Sequence, residues 1–196
     1  MFLKICGITR PCDAEAAAAA GASCIGMIFV PSSPRCIDAA RAREIRAAAP
    51  DCRSVCVVRD LPLVELEALI SELRPDVVQL HGREGAEYAR AVRGAEVWKA
   101  FDLASEAALE EALAFPAAMI VADSGGGTGR PCRWDLAGKL ALRRPTVLAG
   151  GLHAGNLREA VQAVHPAGID ISSGAESAPG VKDRFKLQQI RERIRS

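Results

Sequence analysis

The sequence predicts an α/β fold, a compact parallel eight-stranded (βα)8 TIM barrel spanning residues 1–196 as a single domain. Three observations predict it. Short apolar runs alternate with longer alanine- and leucine-rich stretches of helical spacing along the whole chain. Most of those runs are continuously apolar rather than alternating, as strands covered on both faces are. The runs begin about 24 residues apart, roughly one βα unit each. The barrel is small beside the usual ~250 residues, but 196 residues suit one domain. No composition shift or flexible linker divides the chain. The competing topology is an open doubly wound sheet. It needs a switch point, and no Gly-x-Gly-x-x-Gly follows the first apolar run to mark one.

Each element has its own signal. The run at 2–8 is apolar and ends in cysteine and glycine, and 13–20 after it is nearly all alanine. Strand 24–30 leads to helix 39–48, with Asp38 as a start residue. The β-branched run 54–58 leads to the leucine-spaced helix 64–73, with Asp60 as its expected start. Runs at 77–81 and 97–101 are followed by helices at 88–92 and 106–114, the second opened by Ser105. Run 119–123 precedes a glycine loop and the helix 136–142, with Asp135 as a start residue. Runs 146–150 and 168–172 precede helices at 156–164 and 186–194.

Composition narrows the function classes. Hydrophobic content of 49% and charged content of 25% are those of an ordinary globular protein. The formal net charge is +1 and the basic residues are dispersed, which argues against a nucleic-acid partner. Aromatic residues at 4% supply no base-stacking platform. The seven cysteines form no CxxC pair and several lie in apolar runs, which fits a reduced, cytoplasmic setting better than a disulfide framework. No signal peptide or run of membrane-spanning length is read from the sequence, so no membrane association is expected. The histidines and carboxylates show no metal-ligand spacing, so no metal is expected.

In such a barrel the residues after each strand share one mouth, where ligands bind. Cys6 ends the first run just before Gly7. It reads as a buried strand cysteine or as a thiol aimed at the mouth, with a reference pKa of about 8.5 that is open to tuning. Asp123 closes the run Met-Ile-Val-Ala. It reads as a cap for the next turn or as a carboxyl whose desolvation favours general-acid use. Arg35, between Pro34 and Cys36 in a proline-stiffened loop, is a surface arginine or a planar fork for a carboxylate or phosphate. His81 is structural or ligand-facing. Glycine-bearing turns follow the last three strands, at 125–129, 149–151 and 172–174. Adjacent turns of this kind let backbone N–H groups approach a phosphate.

Together these residues resemble the phosphoribosylanthranilate isomerase family of tryptophan biosynthesis. The resemblance rests on Lys4-Ile-Cys-Gly-Ile-Thr9, Gly21-Ala, Ile25-Gly-Met-Ile-Phe29, Ser33-Pro-Arg35, Val78-Gln-Leu-His-Gly82, Lys99-Ala100, Asp123 with Gly126-Gly-Thr-Gly129, Trp134-Asp135, Leu148-Ala-Gly-Gly-Leu152, Gly168-Ile-Asp-Ile-Ser-Ser-Gly174 and Gly180-Val-Lys-Asp183. It implies an aldose–ketose isomerase that carries out an Amadori rearrangement of a phosphosugar without a cofactor. It further implies Cys6 as general base and Asp123 as general acid. Arg35 would pair with the anthranilate carboxylate, and His81 and Asp170 would contact substrate. Gly127, Gly150, Gly151, Ser172, Ser173 and Gly174 would hold the phosphate. The expected assembly is a monomer or homodimer.

Some positions depart from the family pattern. Cys36 follows the arginine where an aromatic is frequent, Arg59 lies in an altered segment after the third strand, Arg83 replaces a common acidic residue, and Ala175 a frequent valine. Three alternatives compete. A related phosphoribosyl isomerase of histidine synthesis wants an aspartate where Cys6 stands. A non-catalytic phosphosugar-binding barrel does not need thiol, carboxylate and arginine together. A thiol-dependent aldolase or redox barrel needs a strand lysine, for which Lys99 is the candidate.

Overall fold

The continuous apolar runs are explained by two shells of packing. In β1 (Phe2–Ile5) the side chains of Leu3 and Ile5 point outward and join the layer between strands and helices. Phe2 and Cys6 belong instead to the cluster inside the barrel, where Lys4 also lies. Period-two alternation puts every second residue in each shell, and both shells are dry, so polarity does not alternate. A computed structural model of the chain describes residues 1–124 and 133–195.

The order after β1 is α1 (Pro11–Ala19), β2 (Cys24–Ile28), α2 (Ala39–Ala48), β3 (Arg53–Val58), α3 (Leu63–Leu73), β4 (Val77–Leu80), α4 (Ala86–Ala91), β5 (Glu96–Asp102), α5 (Glu106–Ala114), β6 (Met119–Asp123), α6 (Trp134–Ala141), β7 (Thr146–Leu148), α7 (Leu157–Val164) and β8 (Gly168–Ile171). All neighbouring strands pair parallel, and β1 closes on β8 with Phe2 opposite Gly168 and Ile5 opposite Ile171. The expected (βα)8 barrel is the observed one. A 3₁₀ turn (Ser173–Ala175) and an antiparallel hairpin, β9 (Glu176–Ala178) with β10 (Val181–Lys182), come before the last helix, α8 (Arg184–Arg195). Strict alternation did not anticipate this hairpin, because strands of three and two residues are too short to show a period.

Helix starts are partly as expected. Asp38 accepts from Arg41 N at 2.8 Å and Ser105 from Ala108 N at 3.2 Å, each satisfying an orphan donor of the first turn. Asp60 does not cap α3. It sits at φ 50° and accepts from Arg83 N at 2.6 Å, while Pro62 precedes the helix. Asp135 lies inside α6 and pairs with Arg133.

The barrel floor is aromatic. Trp98 is fully buried, 5.7 Å from the Phe2 ring, and its indole N–H donates to Glu96 Oε1 at 2.6 Å. Gly168 faces Phe2 across the closing seam, and a Cβ there would stand 2.4–2.6 Å from three Phe2 ring carbons. Gly168→Ala should therefore overpack the floor and lower stability by about 1–3 kcal/mol. Thermal melting checks this: the variant should melt several degrees lower, and Phe2→Leu in the same chain should recover part of the loss. An unchanged melting temperature for Gly168→Ala would contradict the seam packing.

Candidate active site

At the C-terminal end of the strands a cavity of about 430 Å³ is lined by Cys6, Arg35, His81, Asp123, Gly150, Gly151, Asp170, Ser172 and Ser173, among others. Nine sequence-selected residues thus meet in one place. Gly174 lies outside that lining: a Cβ there would stand 1.9 Å from Leu152 O, so only glycine packs against that backbone. Gly127 falls outside the described residues.

Cys6 follows β1 directly, with Lys4 beneath it on the same face. Lys4 is fully buried and donates to Asp170 Oδ2 at 2.6 Å across the seam between β1 and β8. Asp170 Oδ1, also buried, has no partner among the described residues. Burial pushes the Cys6 thiol above its ordinary pKa, and the nearby Lys4 and Lys182 ammonium groups pull it back down. Burial also disfavours the Lys4 ammonium, but Asp170 outweighs it and holds the lysine charged. Room for the thiol comes from β2: a Cβ on Gly26 would lie 2.7 Å from Cys6 Sγ. The turn after Cys6 is equally constrained. Gly7 has φ 72°, and a Cβ there would meet Arg35 Cδ at 2.5 Å.

On the other side, Asp123 ends β6, mostly buried. Its Oδ1 accepts from Ser124 N at 2.7 Å, and its Oδ2 lies 3.1 Å from His81 Nε2. Gln79 Nε2 is 3.0 Å from His81 Nδ1. With the amide donating, the imidazole carries its hydrogen on Nε2, toward Asp123. The third wall is backbone. Gly150 and Gly151 turn at φ 82° and 63°, which ends β7 two residues before the expected limit. Among the described residues the N–H groups of Gly150, Gly151, Ser173 and Gly174 have no protein acceptor, so they remain available to an anion.

Sequence reasoning missed Glu176 and Lys182. Glu176 accepts from Arg35 Nε at 2.8 Å and Arg35 Nη2 at 2.6 Å. Lys182 Nζ donates to Glu176 Oε1 at 2.8 Å and to Cys6 O at 2.5 Å. Their signal in sequence was only the lysine of Gly180-Val-Lys-Asp183. Lys4 was missed as well, although its parity with Cys6, which puts both on one strand face, could have found it. Lys99 is outside the barrel lumen, its Nζ tied to Gly82 O at 2.5 Å and Glu84 Oε2 at 3.3 Å. A lysine so placed does not reach the mouth, which removes the ground for the aldolase alternative. Among the described residues no group of three or more His, Cys, Asp or Glu side chains is arranged to hold a metal, and no helix is long and apolar enough to cross a membrane.

The field at Cys6 can be tested without substrate. Changing Lys4→Met together with Asp170→Asn removes both charges and leaves neither one buried alone. Lys4 acts on the thiol more strongly than Asp170 does. The thiolate therefore loses net stabilisation and the Cys6 pKa should rise. Peptide-resolved alkylation against pH should show the Cys6 midpoint moved to higher pH. A midpoint unchanged or lowered would mean that Lys4 does not support the thiolate.

The chain matches the family model for N-(5'phosphoribosyl)anthranilate (PRA) isomerase over residues 3–193. The N-(5'-phosphoribosyl)anthranilate isomerase of Pelobacter propionicus is 38% identical over 194 residues, covering 96% of this chain and 92% of that protein. Among solved structures, phosphoribosyl anthranilate isomerase from Thermus thermophilus has a TM-score of 0.93 at 41% identity, covering 100% of this chain and 98% of that one. Another phosphoribosyl anthranilate isomerase, solved in complex with reduced 1-(o-carboxyphenylamino)-1-deoxyribulose 5-phosphate, has a TM-score of 0.89 at 32% identity, with coverage of 100% and 98%. With one cavity joining a thiol, a carboxyl and free N–H groups at the strand ends, and with likeness running nearly the whole length, the chain belongs to the N-(5'-phosphoribosyl)anthranilate isomerase family.

Proposed function

We propose that the chain isomerises N-(5'-phosphoribosyl)anthranilate to 1-(2-carboxyphenylamino)-1-deoxyribulose 5-phosphate, a step of tryptophan biosynthesis. The observation that carries this reading is the joint placement of Cys6, Asp123 and the unpartnered N–H groups of Gly150, Gly151 and Ser173 around one cavity. Asp123 protonates the ribose ring oxygen, and the C1–O bond opens to an iminium. Cys6, as thiolate, removes the proton from C2 and gives an enolamine. Return of that proton from Cys6 to C1, with loss of the enol O2–H proton to restore the acid form of Asp123, then yields the ketose. C1 is reduced and C2 oxidised within one molecule, so electrons balance without a cofactor.

The other residues have supporting parts in this proposal. The N–H groups of Gly150, Gly151, Ser173 and Gly174 hold the phosphate, with Ser172 beside them. Asp170 Oδ1 accepts from the sugar hydroxyls, which would supply the partner that this buried atom lacks. His81 borders the substrate and orients the Asp123 carboxyl. Arg35 pairs with the anthranilate carboxylate. Two of its five N–H groups are on Glu176, and the remainder are free for the ligand.

Loss of the substrate's anthranilate-type fluorescence on mixing with the protein tests the activity. Cys6→Ala and Asp123→Ala should each lower kcat by at least ~100-fold, the scale of a positioned acid or base. Binding of a reduced product analogue should survive, because the phosphate-holding turns are intact. Near-normal turnover in either variant would remove that residue from its role.

Arg35→Met should act on recognition. Losing a charge-assisted pair costs about 1.5–3 kcal/mol, and the effect should shrink for a ligand lacking the carboxylate. Equal weakening of both ligands in calorimetry would mean that Arg35 supports the loop and does not pair with the ligand.

A further inference from the structure

We propose that Glu176 is a positioning residue: it fixes the Arg35 guanidinium so that only the remaining edge of the fork is presented to the cavity. The proposal rests on the reading of Arg35 as partner of the substrate carboxylate. Its own observations are separate. Arg35 lies in the loop between β2 and α2, and Glu176 opens the hairpin after β8. The two are 141 residues apart in sequence, and their side chains meet in a two-point contact of 2.8 and 2.6 Å. Both contacts use one edge of the guanidinium, Nε and Nη2, so its plane and its rotation are set together.

Glu176 is itself held. It is buried, and its Oε1 also accepts from Lys182 Nζ at 2.8 Å and Gly180 N at 3.3 Å. Burial alone would raise this carboxyl, but Arg35 and Lys182 outweigh it and keep it ionised. Lys182 Nζ continues to Cys6 O at 2.5 Å and Ser172 O at 3.3 Å. The same carboxylate thus references Arg35 to the peptide that carries the thiol and to the turn that carries Ser172. The arginine stem passes over Gly7, and the Arg35 backbone N–H donates to Ser33 Oγ at 3.1 Å, which holds the loop that carries it. Without Glu176 the guanidinium would keep its charge and lose its orientation. Binding energy would then be lost to ordering, because a correctly placed fork contributes mainly by being pre-set.

A double-mutant cycle on the isomerase assay tests this. Glu176→Gln keeps the shape of the side chain and removes its charge. It should raise KM about 10-fold with kcat within about 2-fold, a split that general loosening of the fold would not give. In the Arg35→Met background the same change should alter KM less than about 2-fold, because the group it positions is gone. Multiplicative effects in the double variant would overturn the proposal, as would an unchanged KM for Glu176→Gln where Arg35→Met raises it. If Arg35→Met itself leaves KM unchanged, the carboxylate reading fails first, and the proposal falls with it for a distinguishable reason. Arg35→Lys supplies a check that does not depend on the folding of a Glu176 variant. It retains a cation and gives up the fork, and its KM should rise nearly as far as that of Arg35→Met. A normal KM for Arg35→Lys would show that charge alone suffices and would overturn positioning by Glu176.

Discussion

The ion pair between Lys4 and Asp170 is where closure of the barrel and chemistry of the mouth meet. It joins the first strand to the eighth inside the lumen, with the lysine fully buried and a separation of 2.6 Å. Two charges so far from water are tolerated only when each is the other's partner; either one alone would be strongly destabilising. The seam between β1 and β8 is therefore specified by charge as well as by backbone pairing. Above the pair stands Cys6, which feels the ammonium, while Asp170 Oδ1 is buried without a partner among the described residues. One interaction thus closes the sheet, acts on a thiol and leaves one buried acceptor without a partner among the described residues.

The two sides of the mouth are built differently. The Cys6 side is cationic: Lys4, Lys182 and Arg35 surround two carboxylates, Asp170 and Glu176, so positive charge is in excess where a thiolate and an anionic ligand would gather. On the Asp123 side, among the described residues, stand one carboxyl, one imidazole and the amide of Gln79, with the Arg59 guanidinium donating to the His81 carbonyl. A third wall is made of backbone, where Gly150 and Gly151 sit at positive φ and their N–H groups have no protein acceptor among the described residues.

The barrel was legible because its signal repeats. Eight apolar runs separated by helical stretches leave few topologies, and strand-end position alone nominated Cys6, Asp123, His81 and the late glycines. The hairpin of β9 and β10 was not legible, since five strand residues carry no usable period. Glu176 and Lys182 were hidden for a further reason: their importance lies in partners more than 140 positions away. Asp60 and Asp135 show the opposite failure. Their residue type suits a helix start, but Asp60 was claimed by the loop after β4 and Asp135 by its own neighbour Arg133. Lys99 misled because a strand residue faces either the lumen or the helices, and parity here sends it outward.

The long reach of these contacts orders events in time. Two partners of the first strand's polar groups are made late: Asp170 lies 166 residues after Lys4, and Lys182 lies 176 after Cys6. While the chain is being synthesised, Cys6 is an ordinary thiol, without the ammonium-lined setting of the finished site. Contacts of such separation are slow to form because loop closure precedes their reward. The reactive group and its surroundings therefore come into being together, at the moment the barrel shuts. Alkylation of Cys6 during refolding would report that moment directly, as a change in reactivity coincident with seam formation.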